Sequence, residues 1–153
     1  MKILILALSG IGDALMFTPA LKLMRSHLPD AQIDALVMFK AVKDMYDRSP
    51  HLNNVLHFDF MKEGSAASLM YMLKLRGKYD ASINVYPSNR KEYNVINFLT
   101  GAKQKAGVRY LRKDKENFGP LNNVRVTEDD FQHNVVTNIK LVEKSIEKRQ
   151  EKR

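Results

Sequence analysis

Residues 1–13 read MKILILALSGIGD, and what this stretch builds decides the fold. Lys2 to Leu8 is a continuous aliphatic run with no polar alternation, the pattern of a strand buried on both faces of a parallel sheet. A secretory core needs roughly 7 to 15 apolar residues, and this shorter run reads as a first strand instead. Two glycines and a carboxylate follow, and then a helical pattern. Leu15, Met16, Ala20, Leu21, Leu23, Met24 and Leu28 recur at intervals of three and four, which places them on one face. Thr18-Pro19 either kinks this helix or restarts it, with Thr18 as cap and Pro19 in the first helical position.

The alternation repeats outward from that unit. Strands are expected at Gln32 to Met38, Asn54 to Asp59, Lys78 to Tyr86 and Lys103 to Val108. Helices are expected at Ala41 to Asp47, at Ser65 to Arg76 as a clear amphipathic helix closed by a left-handed Gly77, and at Lys91 to Leu99. Arg109 to Glu128 reads as polar and irregular. A last helix is expected from Asp129 or Asp130 to Glu147, with acids at its start and bases at its end as the helix dipole favours. Strand and helix alternating through short connections predict a Rossmann-like α/β domain, a parallel sheet with helices on both faces. With 153 residues the chain suits one domain, read as residues 1–148 with a charged tail at 149–153.

Composition narrows the function. There is no cysteine, which removes disulfides and thiolate metal ligands, and the four scattered histidines show no metal-site spacing. No stretch approaches the roughly 20 apolar residues of a membrane span, so membrane contact is expected to be peripheral at most. The formal net charge is +8 and is concentrated late: Arg90 to Arg125 holds nine Lys or Arg against three acids. Such a field attracts polyanions, although a solvated basic face is the plain alternative.

Ligands of open parallel sheets bind beyond the carboxyl ends of the strands, where LSGIGD falls. Gly10 and Gly12 allow a sharp turn and leave room above it for an anion near the backbone amides of the helix. Leu15 stands where a dinucleotide fingerprint needs its third glycine, and no Gly-Lys-Ser/Thr follows, so nicotinamide, flavin and P-loop chemistry are disfavoured. Asp13 has two readings. It is either an ordinary helix N-terminal cap or an ionised carboxylate at the mouth of a cleft, as a general base for a hydroxyl must be.

The stretch MKILILALSGIGDALMFTPALKLMRSHLPDAQIDALV resembles the start of glycosyltransferase family 9, the lipopolysaccharide heptosyltransferases, whose members open with a strand, a Ser-Ser-x-Gly-Asp turn and a helix containing Thr-Pro-Ala-Leu. Lys78-Tyr79-Asp80, Leu99-Thr100-Gly101-Ala102, Ala106-Gly107-Val108, His133-Asn134-Val135-Val136, Asn138 and Leu141-Val142 resemble later landmarks in the same order. Gly10 replaces the second serine of the turn, and Asn84-Val85-Tyr86-Pro87 stands where members often have Asp-x-Gln-Gly. The resemblance implies the N-terminal, acceptor-side half of a GT-B fold, with the C-terminal donor-binding half absent from this chain. It implies an inverting, metal-independent transfer from a nucleotide-sugar donor to a saccharide or lipid-linked anionic acceptor, with no cofactor and no nucleic-acid partner.

By position the base is then Asp13, the loop is shaped by Ser9, Gly10 and Gly12, and Arg90, Arg109 and Arg112 are the residues for an anionic acceptor. His133 is a further carry-over, with capping or packing as its plain alternative. The implied location is the cytoplasm, at the inner face of the cytoplasmic membrane. Alone, such a half is expected to be inactive. Apolar surface is expected where the other half would dock, and a separate donor half or a homodimer would cover it. The competing reading is a stand-alone module that binds an anionic glycan or lipid head group without catalysis.

Overall fold

The computed structural model describes residues 1–151. Six strands, β1 (Lys2–Ala7), β2 (Gln32–Val37), β3 (Asn54–His57), β4 (Ala81–Asn84), β5 (Gln104–Arg109) and β6 (Val124–Thr127), form one sheet in the order β3-β2-β1-β4-β5-β6. Every pairing is parallel, so the expected Rossmann-like sheet is present. The chain winds one way from β1 through β2 to β3, then crosses back to lay β4 on the other side of β1. The winding therefore reverses between β1 and β4, and a crevice opens there at the carboxyl ends of the strands.

Five α-helices lie between the strands, α1 (Ile11–Met16), α2 (Thr18–His27), α3 (Lys40–Tyr46), α4 (Phe60–Leu75) and α5 (Lys91–Leu99), and α6 (Asn134–Glu151) follows β6. The all-apolar first strand has its reason in the two cores. Ile3, Ile5 and Ala7 join Phe17, Leu21, Met24, Leu141 and Val142 on one face. Leu4, Leu6 and Leu8 join Met38, Met72, Tyr93 and Ile96 on the other. Successive side chains alternate between faces, and both faces are covered from Ile3 onward, so no position after the exposed Lys2 carries a polar group.

Beneath α5 the second face also carries a buried polar layer. Ser82 donates to Asn97 Oδ1, Asn97 Nδ2 donates to Asn122 Oδ1 at 2.8 Å, and Asn122 Nδ2 donates to Asn94 Oδ1 at 3.0 Å. Gly107 is required by this layer, because a Cβ there would overlap the Asn122 amide.

Several expectations are corrected. The first helix restarts at Thr18, but Thr18 does not cap it; its Oγ1 donates to the Leu15 carbonyl at 2.7 Å and closes the preceding turn. The segment read as irregular contains β6, a four-residue edge strand that continues the sheet beside β5. α4 begins at Phe60, where Asp59 Oδ1 accepts from the amides of Met61 and Lys62, and it breaks at Gly64, whose φ is +82°. Gly77 is left-handed as expected, at φ +81°.

α4 is far less amphipathic than the sequence suggested. Of its residues only Met72 is buried, while Leu69, Met70 and Leu73 stand about half exposed. α6 begins at Asn134, so Asp129 and Asp130 precede it and its first turn has no acid. It ends among bases as expected, with Lys148 and Arg149 in its last turn. The helix continues through the proposed boundary at 148 to Glu151, and residues 152 and 153 of the charged tail lie outside the described residues.

Candidate active site

The turn after β1 is tied to its neighbour across the crevice. Ser9 is half-buried, and its Oγ donates to the Pro87 carbonyl at 3.1 Å. Gly10 flanks α1 in an extended conformation (φ −69°, ψ 178°), and its carbonyl accepts the Ala14 amide at 3.1 Å. Neither Gly10 nor Gly12 is among the positive-φ glycines, which are Gly64, Gly77 and Gly101, so backbone geometry does not demand them. What they leave is space. A Cβ at either position would meet nothing within 4 Å.

Asp13 lies in the first turn of α1, half-buried. No side chain caps this helix, and among the described residues the Asp13 carboxylate has no hydrogen-bond or ion-pair partner. The capping role is thus unfilled. Burial pushes its carboxyl above the ordinary value, against the pull of the helix dipole toward the charged form. A carboxylate without a structural partner, partly withdrawn from water and beside open space, is suited to receiving a proton.

Across the crevice, the segment after β4 is clamped along its backbone. Asn138 of α6 spans Tyr86: its Oδ1 accepts the Tyr86 amide at 2.9 Å, and its Nδ2 donates to the Tyr86 carbonyl at 3.1 Å. The Ser88 amide donates to the Tyr110 hydroxyl at 2.6 Å, and Asn89 Nδ2 donates to the Arg112 carbonyl at 3.0 Å. Tyr86 in turn donates to Glu128 at 2.6 Å, and its ring stacks on Tyr110 at 5.7 Å between centroids. Burial pushes the Tyr110 phenol up to about 12, and burial followed by the Glu128 carboxylate pushes Tyr86 up as well. Both phenols stay neutral near pH 7 and serve as fixed hydrogen-bonding groups.

The three arginines divide into different situations. Arg90 immediately precedes α5, with its guanidinium over the Tyr93 ring at 5.6 Å and its Nε 3.9 Å from Glu92. Arg109 ends β5, and Arg112 follows on the loop that Asn89 anchors; both are exposed, and among the described residues neither side chain has a hydrogen-bond or ion-pair partner. Part of the basic segment is structural instead. Arg125 pairs with Asp114, and Lys105 Nζ donates to the Ala102 carbonyl at 2.7 Å. His133 takes the plain reading: its Nδ1 accepts the Val135 amide at 3.1 Å and caps α6.

Adjacency of β1, β4 and β5 thus brings the Asp13 turn, the clamped segment and the Arg109–Arg112 loop to one end of the sheet. Spacing pointed to Asp13 and the glycines. The Asn138, Tyr110 and Glu128 clamp carries no such signal, because its partners lie 52, 22 and 42 residues apart in sequence. Among the described residues no three His, Cys, Asp or Glu side chains come together as a metal-holding group. No helix among them is long and apolar enough to cross a membrane.

Neither the family models nor the curated proteins contain a match to this chain. Solved structures do match. E. coli heptosyltransferase WaaC with ADP superposes with a TM-score of 0.79 over 95% of this chain, at 20% identity. The fold is that of part of a heptosyltransferase. E. coli ADP-heptose LPS heptosyltransferase II gives a TM-score of 0.74 over 93% of the chain at 21% identity. The glycosyl transferase family 9 structure from Veillonella parvula gives 0.73 over 94% at 19%. The chain spans 47%, 40% and 40% of these heptosyltransferase and family 9 chains, less than half of each.

Proposed function

We propose that this chain is the N-terminal, acceptor-side half of an inverting, metal-independent glycosyltransferase that moves a sugar from a nucleotide-activated donor to a saccharide acceptor. One observation carries the reading: Asp13 stands partnerless and half-buried beside the open Gly10–Gly12 turn, at the end of the sheet where a ligand belongs.

In this reading the Asp13 carboxylate accepts the proton of an acceptor hydroxyl as that oxygen attacks the anomeric carbon. The carbon–oxygen bond to the nucleoside diphosphate breaks with its electron pair leaving on the phosphate, and configuration inverts. Burial raises the Asp13 pKa, which strengthens its carboxylate as a base. Ser9 fixes the turn against Pro87, and Arg109 and Arg112, free of partners among the described residues, meet negative charge on the acceptor. Arg90 assists from the α5 side. A donor half, joined or separate, completes the site, and without it the base has no activated sugar to work on. The reading places the protein in the cytoplasm, at the inner face of the membrane that holds a lipid-linked acceptor.

The decisive test measures sugar transfer from ADP-heptose to a phosphorylated saccharide once a donor half is supplied. Asp13→Asn is expected to lower kcat about 10²- to 10⁴-fold while acceptor KM changes little. Unchanged turnover in that variant overturns the role of Asp13. The unpartnered Arg109 and Arg112 also favour a second reading, an anionic-glycan or lipid-head-group module without catalysis. Saccharide-selective binding with no transfer in the presence of a donor half supports that one.

A further inference from the structure

α4 breaks at Gly64, and from Ser65 to Leu75 it runs regularly for about three turns. Ala66, Leu69, Met70 and Leu73 recur there at intervals of three and four, which gathers them in one stripe. All four are exposed, on the side of the helix away from buried Met72 and half-buried Tyr71 and Leu75. Met61 and Phe118 border Leu69 and extend the patch, at 70% and 45% exposure. Contiguous apolar patches of more than about a few hundred Å² are rare on monomers.

Two features select a second copy of this chain as the cover. The first is shape. Small side chains, Ser65, Ala66 and Ala67, lie at one end of the exposed helix face, and large ones, Leu69, Met70 and Leu73, toward the other. Two such helices laid antiparallel, with a two-fold axis between Leu69 and Met70, set Leu73 of each copy on Ala66 of the other and Leu69 on Met70. An isologous contact requires this self-complementarity, and stripes spaced in threes and fours interlock in nearly antiparallel pairs.

The second is charge. Each copy carries +8, so two copies repel except where charge is missing, and residues 64–73 hold none. Asp59, Lys62 and Glu63 precede that stretch and Lys74, Arg76 and Lys78 follow it, a net negative end and a strongly positive one. Antiparallel pairing brings each negative end to a positive one and aligns the helix dipoles favourably, whereas parallel pairing would set like against like. Among the described residues neither Glu63 nor Lys74 has an ion-pair partner within the chain.

We propose that α4 is a homodimer interface, in which the exposed stripes of two copies pair antiparallel about a two-fold axis between Leu69 and Met70. The contact uses neither Asp13 nor the Arg109–Arg112 loop, so it stands apart from the transfer reading. Three turns bury less than the roughly 800 Å² per partner of a standard interface, and a dissociation constant on the order of 10–100 μM is expected. At the low micromolar concentrations used for chemical unfolding the chain is then a monomer, and truncations on this face leave its stability almost unchanged.

The test is sedimentation velocity of the chain from about 5 to 500 μM, with the methyl signal of Met70 followed over the same range. The sedimenting mass is expected to rise from one copy to two, and the Met70 signal to move with it while that of Met24, buried on the other face of the sheet, stays. Met70→Glu is expected to weaken association at least tenfold, and Leu73→Glu serves the same purpose if the first variant folds poorly. Register is read by cross-linking, since the natural chain has no cysteine. Ala66→Cys and Leu73→Cys chains, mixed under mild oxidation, should join to each other. Neither should join to itself, because like positions lie about 10 Å apart along the antiparallel pair, too far for a disulfide. A chain that stays monomeric at the highest concentration, self-linking that outruns linking in the mixture, or a dimer that survives both glutamate variants overturns the proposal. So does a monomer whose Met70 signal moves only when phospholipid vesicles or a donor half are added, by making that addition the occupant.

Discussion

The two faces of the sheet are finished differently. On one, α2 and α6 lie against each other and against the strands, and Phe17, Leu21, Met24, Leu141 and Val142 are wholly withdrawn from water. On the other, α5 is fastened by an asparagine layer, while α4 buries Met72 and leaves Leu69, Met70 and Leu73 half outside. The first face is complete within the chain. The second holds more apolar surface than the sheet beneath it needs, most of it on α4, with Phe98 of α5 and Phe118 exposed beside it. Exposed apolar area grouped in this way marks a contact with another molecule more often than a packing fault.

That contrast can be broken by measurement. The largest effect is expected in the closed face, where Phe17→Ala should cost about 3–5 kcal/mol in chemical unfolding because the cavity has rigid walls on every side. A loss below about 1 kcal/mol would mean that this face is looser than its burial indicates. Next comes Gly107→Ala, which forces a methyl into the Asn122 amide and breaks its bonds to Asn94 and Asn97; roughly 1–3 kcal/mol of stability should be lost. On the open face, Leu73→Ala should change stability by less than about 0.5 kcal/mol. A cost like that of Phe17 would show α4 to be core after all.

The smallest effect concerns Asp13 and is seen best against pH. Its folded-state pKa lies above the unfolded one, so the folded chain favours the protonated form. Stability tied to this group is fully present at low pH, below the unfolded carboxylate pKa, and is lost as pH rises through the folded value. Asp13→Asn should therefore leave the melting temperature at pH 7 equal to or slightly above that of the natural chain, with the difference vanishing in acid. A clear drop at pH 7 would assign Asp13 a structural bond and weaken its claim to be a base.

The sequence pattern carried the frame of this fold and the position of one carboxylate. A continuous aliphatic run located β1 because both faces of that strand are covered, and Gly77 marked a helix end because its backbone is left-handed. β6 escaped notice for the opposite reason. Val124-Arg125-Val126-Thr127 is short and lies on the sheet edge, and its arginine finds Asp114 only in the folded chain. The start of α6 was misplaced because Asp129 and Asp130 imitate a first turn, whereas His133 supplies the cap. At the site, Asp13 stood out by its glycine neighbours. The clamp on the facing segment joins Tyr86 to Asn138 and Ser88 to Tyr110, pairings that depend on strand order and leave no local trace.

Strand order also sets a timetable. β1 is central and pairs with β2, which follows it closely in sequence, and with β4, which begins only at Ala81. Its Ile3 and Ile5 finally lie in the same cluster as Leu141 and Val142 of the last helix. The nascent chain must therefore keep its most aliphatic segment half-paired until β4 is translated, and one face of it uncovered until α6 follows. Long-range closure of this kind folds slowly and leaves sticky intermediates, so this chain is expected to lean on holdase chaperones during synthesis.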